Sequence, residues 1–354
     1  MARFADVLTI VNGKNQKKVE NPNGKYPIYG SGGIMGYADD YICEAETVVI
    51  GRKGSINNPI YVETPFWNVD TAFGLHADRS KLFPKYLYYF CINYDFERLN
   101  TTVTIPSLTK ANLLNVEIPL PPLEEQRCIA ALLDKVSDLI AKRRTQLDKL
   151  DLLVKARFNK LFMDKGYPTK TVDEVSLGKG EYGAQSASVE YDSSRPRYVR
   201  ITDINDDGTL NDDVVASINL SDDDQYRLTY GDFLFARMGA TVGKTYAFIK
   251  GNQIFAGYLI RYRLNQEMIN PRYLFWYTKL DEYRNWVNLN QSGAAQPGIN
   301  AKKYDSLRIP IPPLEEQNKF ATFVEQIDKL KLTIQQSLDK LEILKKALMQ
   351  QYFG

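Results

Sequence analysis

One phrase occurs twice in this chain. Residues 118–126 read Ile-Pro-Leu-Pro-Pro-Leu-Glu-Glu-Gln, and residues 309–317 read Ile-Pro-Ile-Pro-Pro-Leu-Glu-Glu-Gln, 191 positions later. The register continues without a gap. Over residues 118–162 against 309–353, 18 of 45 positions are identical, including Lys149, Leu150, Leu153, Lys155, Ala156 and Phe162 against Lys340, Leu341, Leu344, Lys346, Ala347 and Phe353. Self-similarity at a fixed offset is the mark of one structural unit built twice. The 354-residue chain is therefore expected to fold as two copies of one frame.

Behind each Pro-rich start, mostly apolar positions recur at alternating spacings of four and three, with two charged residues in each copy. The first copy has Ile129, Leu133, Val136, Ile140, Arg143, Leu147, Leu150, Val154, Arg157 and Leu161; the second has Phe320, Val324, Ile327, Lys331, Ile334, Leu338, Leu341, Lys345, Leu348 and Tyr352. This is a coiled-coil seam, with neither Gly nor Pro inside it. Pro121, Pro122, Pro312 and Pro313 mark the helix starts, and Glu124, Glu125, Glu315 and Glu316 suit the positive N-terminal end. Arg143 and Arg157 align with Ile334 and Leu348, whereas Lys331 and Lys345 align with Ile140 and Val154. Long charged stems can snorkel past an apolar neighbour, so this offset predicts that the two helices pair with each other. Each would be roughly 60 Å long at about 1.5 Å per residue.

Charge excludes a broad basic footprint. Lys+Arg against Asp+Glu is 12 to 12 for residues 1–117, 9 to 6 for 118–162, 18 to 19 for 163–308 and 6 to 6 for 309–354. Any nucleic-acid affinity must come from local basic loops or from a partner. Cys43, Cys91 and Cys128 lack a pairing or zinc spacing and point to a reducing compartment. A single histidine, His76, weakens metal centres and triads. No apolar run approaches the roughly 20 residues that span a bilayer, and the start has no secretory pattern; a soluble, cytoplasmic protein is expected.

Residues 1–117 and 163–308 each mix short β-rich runs with Gly, Asn and Asp turns. They share a closing pattern: Pro84-Lys85-Tyr86-Leu87-Tyr88-Tyr89-Phe90 against Pro271-Arg272-Tyr273-Leu274-Phe275-Trp276-Tyr277, then Ile105-Pro106-Ser107-Leu108-Thr109 against Gln296-Pro297-Gly298-Ile299-Asn300. The aromatic runs read as amphipathic core helices, each large ring contributing about 1.5–3 kcal/mol on burial. Upstream the segments diverge. Each nevertheless has an apolar strand running into a Gly-flanked basic loop, Val48 to Ser55 in one and Phe233 to Lys244 in the other.

The familiar chemical motifs fail in detail. Gly239-Ala240-Thr241-Val242-Gly243-Lys244-Thr245 has three residues between its glycines where a phosphate loop needs four, leaving a glycine turn or a contact by Arg237, Thr241 and Lys244. Gly30, Gly32 and Gly36 lack the βαβ unit of a dinucleotide site. Asp203 to Gly208 starts like a calcium loop, but the twelfth position is Val214 rather than Glu, so an acidic hairpin turn is the better reading. Asn58-Pro59-Ile60-Tyr61 is one proline short of the DNA amino-methyltransferase signature. Gly51-Arg52-Lys53-Gly54-Ser55 is the best recognition candidate, because glycines admit a phosphate, Arg forks onto guanine and Lys neutralises phosphate.

Two divergent segments, each followed by a copied Pro-Pro-Leu-Glu-Glu-Gln helix, resemble the specificity subunit of type I restriction–modification systems across the whole chain. The resemblance implies an α+β fold with two mixed α/β target-recognition domains, residues 1–117 and 163–308. Spacer helices 118–162 and 309–354 would pack as an antiparallel coiled coil with a pseudo-twofold internal repeat. It implies a non-catalytic subunit without cofactor or metal, reading a bipartite asymmetric site in double-stranded DNA. The helices would dock two modification (methyltransferase) subunits, to which two restriction (endonuclease and translocase) subunits could add. Candidate DNA contacts are Ser31, Arg52, Lys53, Ser55 and Asn57 in the first domain, and Arg200, Thr202, Arg237, Thr241, Lys244, Gln291 and Ser292 in the second. Two rival classes share these features: the specificity subunit of a related enzyme whose modification and cleavage activities are fused, and a non-DNA scaffold on coiled coils.

Overall fold

The computed structural model describes residues 1–100, 106–220, 224–292 and 297–354. Ile105 and Gln296 of the closing pattern lie outside them. The chain divides into two compact units, Met1–Thr145 with Ile334–Gly354, and Gln146–Thr333. The division falls inside both long helices, so each unit owns half of each.

The first unit is built on a four-stranded antiparallel sheet in the order Leu8–Asn12, Ala72–Ala77, Thr47–Gly51, Ile60–Val62. The second repeats that order with Glu181–Tyr182, Leu259–Arg263, Asp232–Ala236 and Thr245–Ala247. Thr47–Gly51 and Asp232–Ala236 are buried throughout, which is why residues 48–50 and 233–236 within them read as unbroken apolar runs rather than alternating ones. Each unit also holds a parallel pair, Tyr26–Gly30 with Trp67–Asn68 and Arg197–Val199 with Gln253–Phe255. Antiparallel ribbons close each unit at its Pro-rich phrase, Ala2–Arg3 with Glu117–Ile118 and Thr169–Thr171 with Arg308–Pro310.

The phrase ends in a glutamine for a structural reason. Gln126 is fully buried: its Oε1 accepts from the Phe83 N–H at 2.8 Å, and its Nε2 donates to the carbonyls of Lys81 and Pro121 at 2.9 and 2.8 Å. Gln317 does the same with the Asn270 N–H and the carbonyls of Met268 and Pro312, at 2.9, 3.1 and 2.8 Å. The next bond is repeated too. Tyr86 donates to the Pro119 carbonyl at 3.1 Å and Tyr273 to that of Pro310 at 2.8 Å. The aromatic helices Pro84–Asn93 and Pro271–Tyr277 are thereby bolted to the start of each long helix, with Pro at their first turn where no donor is needed.

The long helices, Leu123–Phe162 and Leu314–Phe353, run antiparallel, as their partners within each unit require. In the first unit Arg144 bonds Glu342 at 2.7 Å. In the second Lys331 bonds Asp151 at 2.7 Å, and Phe320 meets Phe158 and Phe162 with ring centroids 5.3 and 5.5 Å apart. As the number falls on one helix it rises on the other. The predicted seam holds from Ile129 to Val154, whereas beyond it the buried residues are Phe158 and Phe162 while Arg157 is exposed. Arg157 instead lays its guanidinium over the Phe323 ring at 4.8 Å. The spacing changes because the helix end here joins the domain core, where Tyr273 stacks on Phe158 at 5.2 Å.

Candidate nucleic-acid interface

In each unit the buried central strand leads straight into an arginine. Arg52 follows Gly51, and Arg237 follows Ala236. The Arg52 N–H donates to the Thr71 carbonyl at 2.8 Å and its carbonyl accepts from the Leu108 N–H at 2.9 Å. Arg237 donates to the Tyr258 carbonyl at 3.0 Å and accepts from Ile299 at 2.9 Å. Two residues on, Gly54 and Gly239 donate to the carbonyls of Pro106 and Pro297 at 3.1 and 2.9 Å. Both glycines have positive φ, 79° and 70°, which a side chain would strain. Leu108 and Ile299 then enter short helices capped by Thr109 and Asn300. One Arg-x-Gly turn is thus clamped twice onto the same downstream segment.

Around this turn the first unit gathers four of its five candidates. A Cβ on Gly51 would stand 2.4 Å from the Ser55 carbonyl oxygen and 3.1 Å from Ser31 Cβ, so Ser31 and Ser55 flank the strand end beside Arg52 and Lys53. Arg52 and Lys53 are exposed, the former's guanidinium 5.8 Å from the Phe73 ring centroid. Asn57 is placed differently: its side chain donates to Asp95 at 2.9 Å and accepts from the Phe96 N–H at 2.7 Å, which ties down the turn after the aromatic helix.

In the second unit Ser292 exchanges backbone bonds with Gly298, which bridges to Met238, so Gln291 and Ser292 lie along the Arg237 turn. A concavity of about 740 Å³ opens beside it, lined by Tyr198, Arg200, Thr202, Arg237, Gly257 and Tyr258 among others. The other candidate cations are committed within the fold. Arg200 pairs with buried Asp203 at 2.8 Å and donates to the Val214 carbonyl at 2.7 Å. Lys244 pairs with Asp206 at 2.8 Å and reaches the Ile204 carbonyl at 3.2 Å, holding the Asp206 carboxyl below its usual range. Thr241 donates to the Met238 carbonyl at 3.2 Å, bracing the glycine turn. Arg237 stands over the rings of Tyr182 and Tyr258, at 4.9 and 5.7 Å. These two tyrosines were invisible to sequence reasoning, since strand pairing alone brings them beside an arginine far away in the chain.

Among the described residues no group of three or more His, Cys, Asp or Glu is placed to hold a metal ion, and no helix is long and apolar enough to cross a membrane. All three cysteines are free, Cys43 and Cys91 buried and Cys128 exposed, and His76 Nδ1 lies 3.0 Å from Thr47 Oγ1.

Two copies of one fold, each ending its central strand in an arginine turn and closing on its own halves of two long helices, define an internally repeated α+β protein. A sequence profile of the type I restriction modification DNA specificity domain matches residues 1–151 and 174–343, and the chain belongs to that family. It is 25% identical to the type I restriction enzyme MjaVIII specificity subunit of Methanocaldococcus jannaschii, over 86% of this chain and 75% of that protein. It is 22% identical to the type I restriction enzyme EcoBI specificity subunit of Escherichia coli, over 93% and 77%. The fold matches the crystal structure of a type I restriction–modification S subunit from M. genitalium, with a TM-score of 0.67 at 16% identity, covering 100% of this chain and 95% of that one. DNA specificity in a type I restriction–modification system is the role of this chain, and DNA and methyltransferase subunits are its general partners.

Proposed function

We propose that each unit reads one half of a bipartite, asymmetric DNA site, and that the chain itself catalyses nothing. The repeated Arg-x-Gly turn carries this reading: the backbone bonds that hold it are the same in both units, while the loops around it differ. A shared frame with divergent surroundings suits two readers of different short sequences, base contacts giving specificity and phosphate contacts giving register. Ser31, Arg52, Lys53 and Ser55 form the first reading surface; Thr202, Arg237, Gln291 and Ser292 form the second. Asn57, Arg200, Thr241 and Lys244 shape those surfaces through the bonds described above.

The helix pair docks two modification subunits, to which restriction subunits add. Leu152 and Leu153 align in the repeat with Ile343 and Leu344, and Leu139 aligns with Leu330. All six are exposed, by 65%, 48%, 70%, 45%, 38% and 47% respectively. Each unit thus presents the same apolar trio, Leu139 with Ile343 and Leu344 in one and Leu330 with Leu152 and Leu153 in the other. Apolar side chains kept in both copies without internal cover suit a partner that binds once per unit.

The reading is tested by co-expressing the chain with its modification partner and mapping methylated sites by long-read sequencing. Arg52→Ala relaxes one half of the methylated motif and Arg237→Ala the other. Relaxation of the same half by both variants would refute the two-reader assignment.

A further inference from the structure

We propose that the second unit reads a guanine with Arg237, and that Tyr182 and Tyr258 are the positioning residues that make it do so. The inference rests on the assignment of that unit to one half-site and adds the base, the reading side chain and the device that aims it.

Arg237 differs from its neighbours in what it leaves unused. Its Nε donates to the Gly257 carbonyl at 3.1 Å, and its guanidinium lies over the rings of Tyr182 and Tyr258. No carboxylate pairs with it among the described residues, whereas Arg200, which lines the same concavity, and Lys244 of the glycine turn are both neutralised. A half-buried cation is costly unless an acceptor completes it. With Nε fixed and aromatic rings beside it, the guanidinium plane has little freedom, and its two terminal amino groups remain as a fork. Tyr182 and Tyr258 are themselves 41% and 54% exposed, so the clamp stands at the surface where a duplex can reach it.

A planar fork of two donors matches one base edge. Guanine offers O6 and N7 as two acceptors in the major groove; adenine and cytosine place an amino donor there, and thymine offers one acceptor beside a methyl group. A phosphate would also accept from the fork. It does not need a fixed plane, however, and a flexible lysine serves it as well. The aromatic clamp and the Nε bond therefore favour the base edge.

The test uses the complete complex with its modification partner, and the methylated motif is read by long-read sequencing. Arg237→Ala and Arg237→Lys are expected to turn one guanine of one half-site into any base, with the rest of the motif unchanged. The Tyr182→Ala/Tyr258→Ala double variant relaxes the same position, while Tyr258→Phe, which keeps the ring, retains the guanine. An unchanged motif, or relaxation at a base other than guanine, overturns the inference but leaves the two-reader assignment standing. Retention of the guanine by the double tyrosine variant overturns the positioning role. Relaxation in the half that Arg52→Ala affects overturns the assignment itself. Should a variant methylate nothing, binding of the wild-type complex to duplexes carrying 7-deazaguanine decides. Loss of N7 at one guanine of that half-site should weaken binding by about tenfold, and insensitivity at every guanine there overturns the inference.

Discussion

At the scale of single residues, the buried glutamines are the least replaceable parts of the frame. Gln126 satisfies two backbone carbonyls and one N–H with no access to water. Gln126→Leu keeps the volume and orphans all three, and an unsatisfied buried group costs about 1–3 kcal/mol. We expect a loss of roughly 2–4 kcal/mol in urea denaturation, and a similar loss for Gln317→Leu. The repeated phrase displays these glutamines in the sequence, yet their task is not legible there, because their partners at Lys81 and Met268 lie well upstream. Lys279 makes a second prediction. Burial pulls its pKa from an ordinary 10.5 down to about 8, against opposing pulls from Asp207 and Asp206, with Lys244 and Arg284 adding to the depression. Between those values the unfolded state binds the extra proton, so stability rises with pH. Thermal unfolding of the second unit should therefore shift upward from pH 8 toward 10, and Lys279→Met should abolish the rise. Above pH 10 the trend reverses, because Tyr262, Tyr283 and Tyr304, pushed up by burial, ionise only when unfolded.

At the scale of elements, the helix pair shows what periodicity can and cannot settle. A four-three spacing of apolar residues fixes a seam, and Ile129 to Val154 are where that spacing puts them. It says nothing of a helix end that leaves its partner for a domain core, and there the chain follows a four-four spacing through Val154, Phe158 and Phe162. The charged seam residues also sort by neighbour rather than by pattern: Lys331 finds Asp151, and Lys345 is half-buried with a pKa lowered chiefly by that burial. Phe158 is fully buried among Phe162, Tyr273 and Phe320. Phe158→Ala should cost about 3–5 kcal/mol in chemical denaturation. Asp151→Asn removes one partner of a pair that is 26% and 51% exposed and should cost no more than about 1 kcal/mol. Comparable losses would mean that the electrostatic pairing, rather than the aromatic cluster, holds the helices.

At the scale of the whole molecule, each unit builds its main core from its own residues. The core of the first unit draws on residues 4–133 and on Met349 and Phe353, and none of it comes from 163–308. That second segment closes on its own helix halves through Val154, Phe158, Phe162, Phe320, Val324 and Ile327. Exchange of residues 163–308 for the corresponding segment of another family member should therefore leave the first head's packing untouched. The graft must satisfy Gln317 with a backbone N–H where Asn270 stands, and place a ring where Tyr273 stacks on Phe158. Both positions recur in the first unit's frame, at Phe83 and Tyr86, so a divergent segment that keeps them is expected to fit. Methylome sequencing of cells carrying the chimera should show one half of the motif replaced by the donor's half and the other half unchanged. A change in both halves would mean that the heads are coupled through the shared helices, and the reading of two independent recognition units would have to be abandoned.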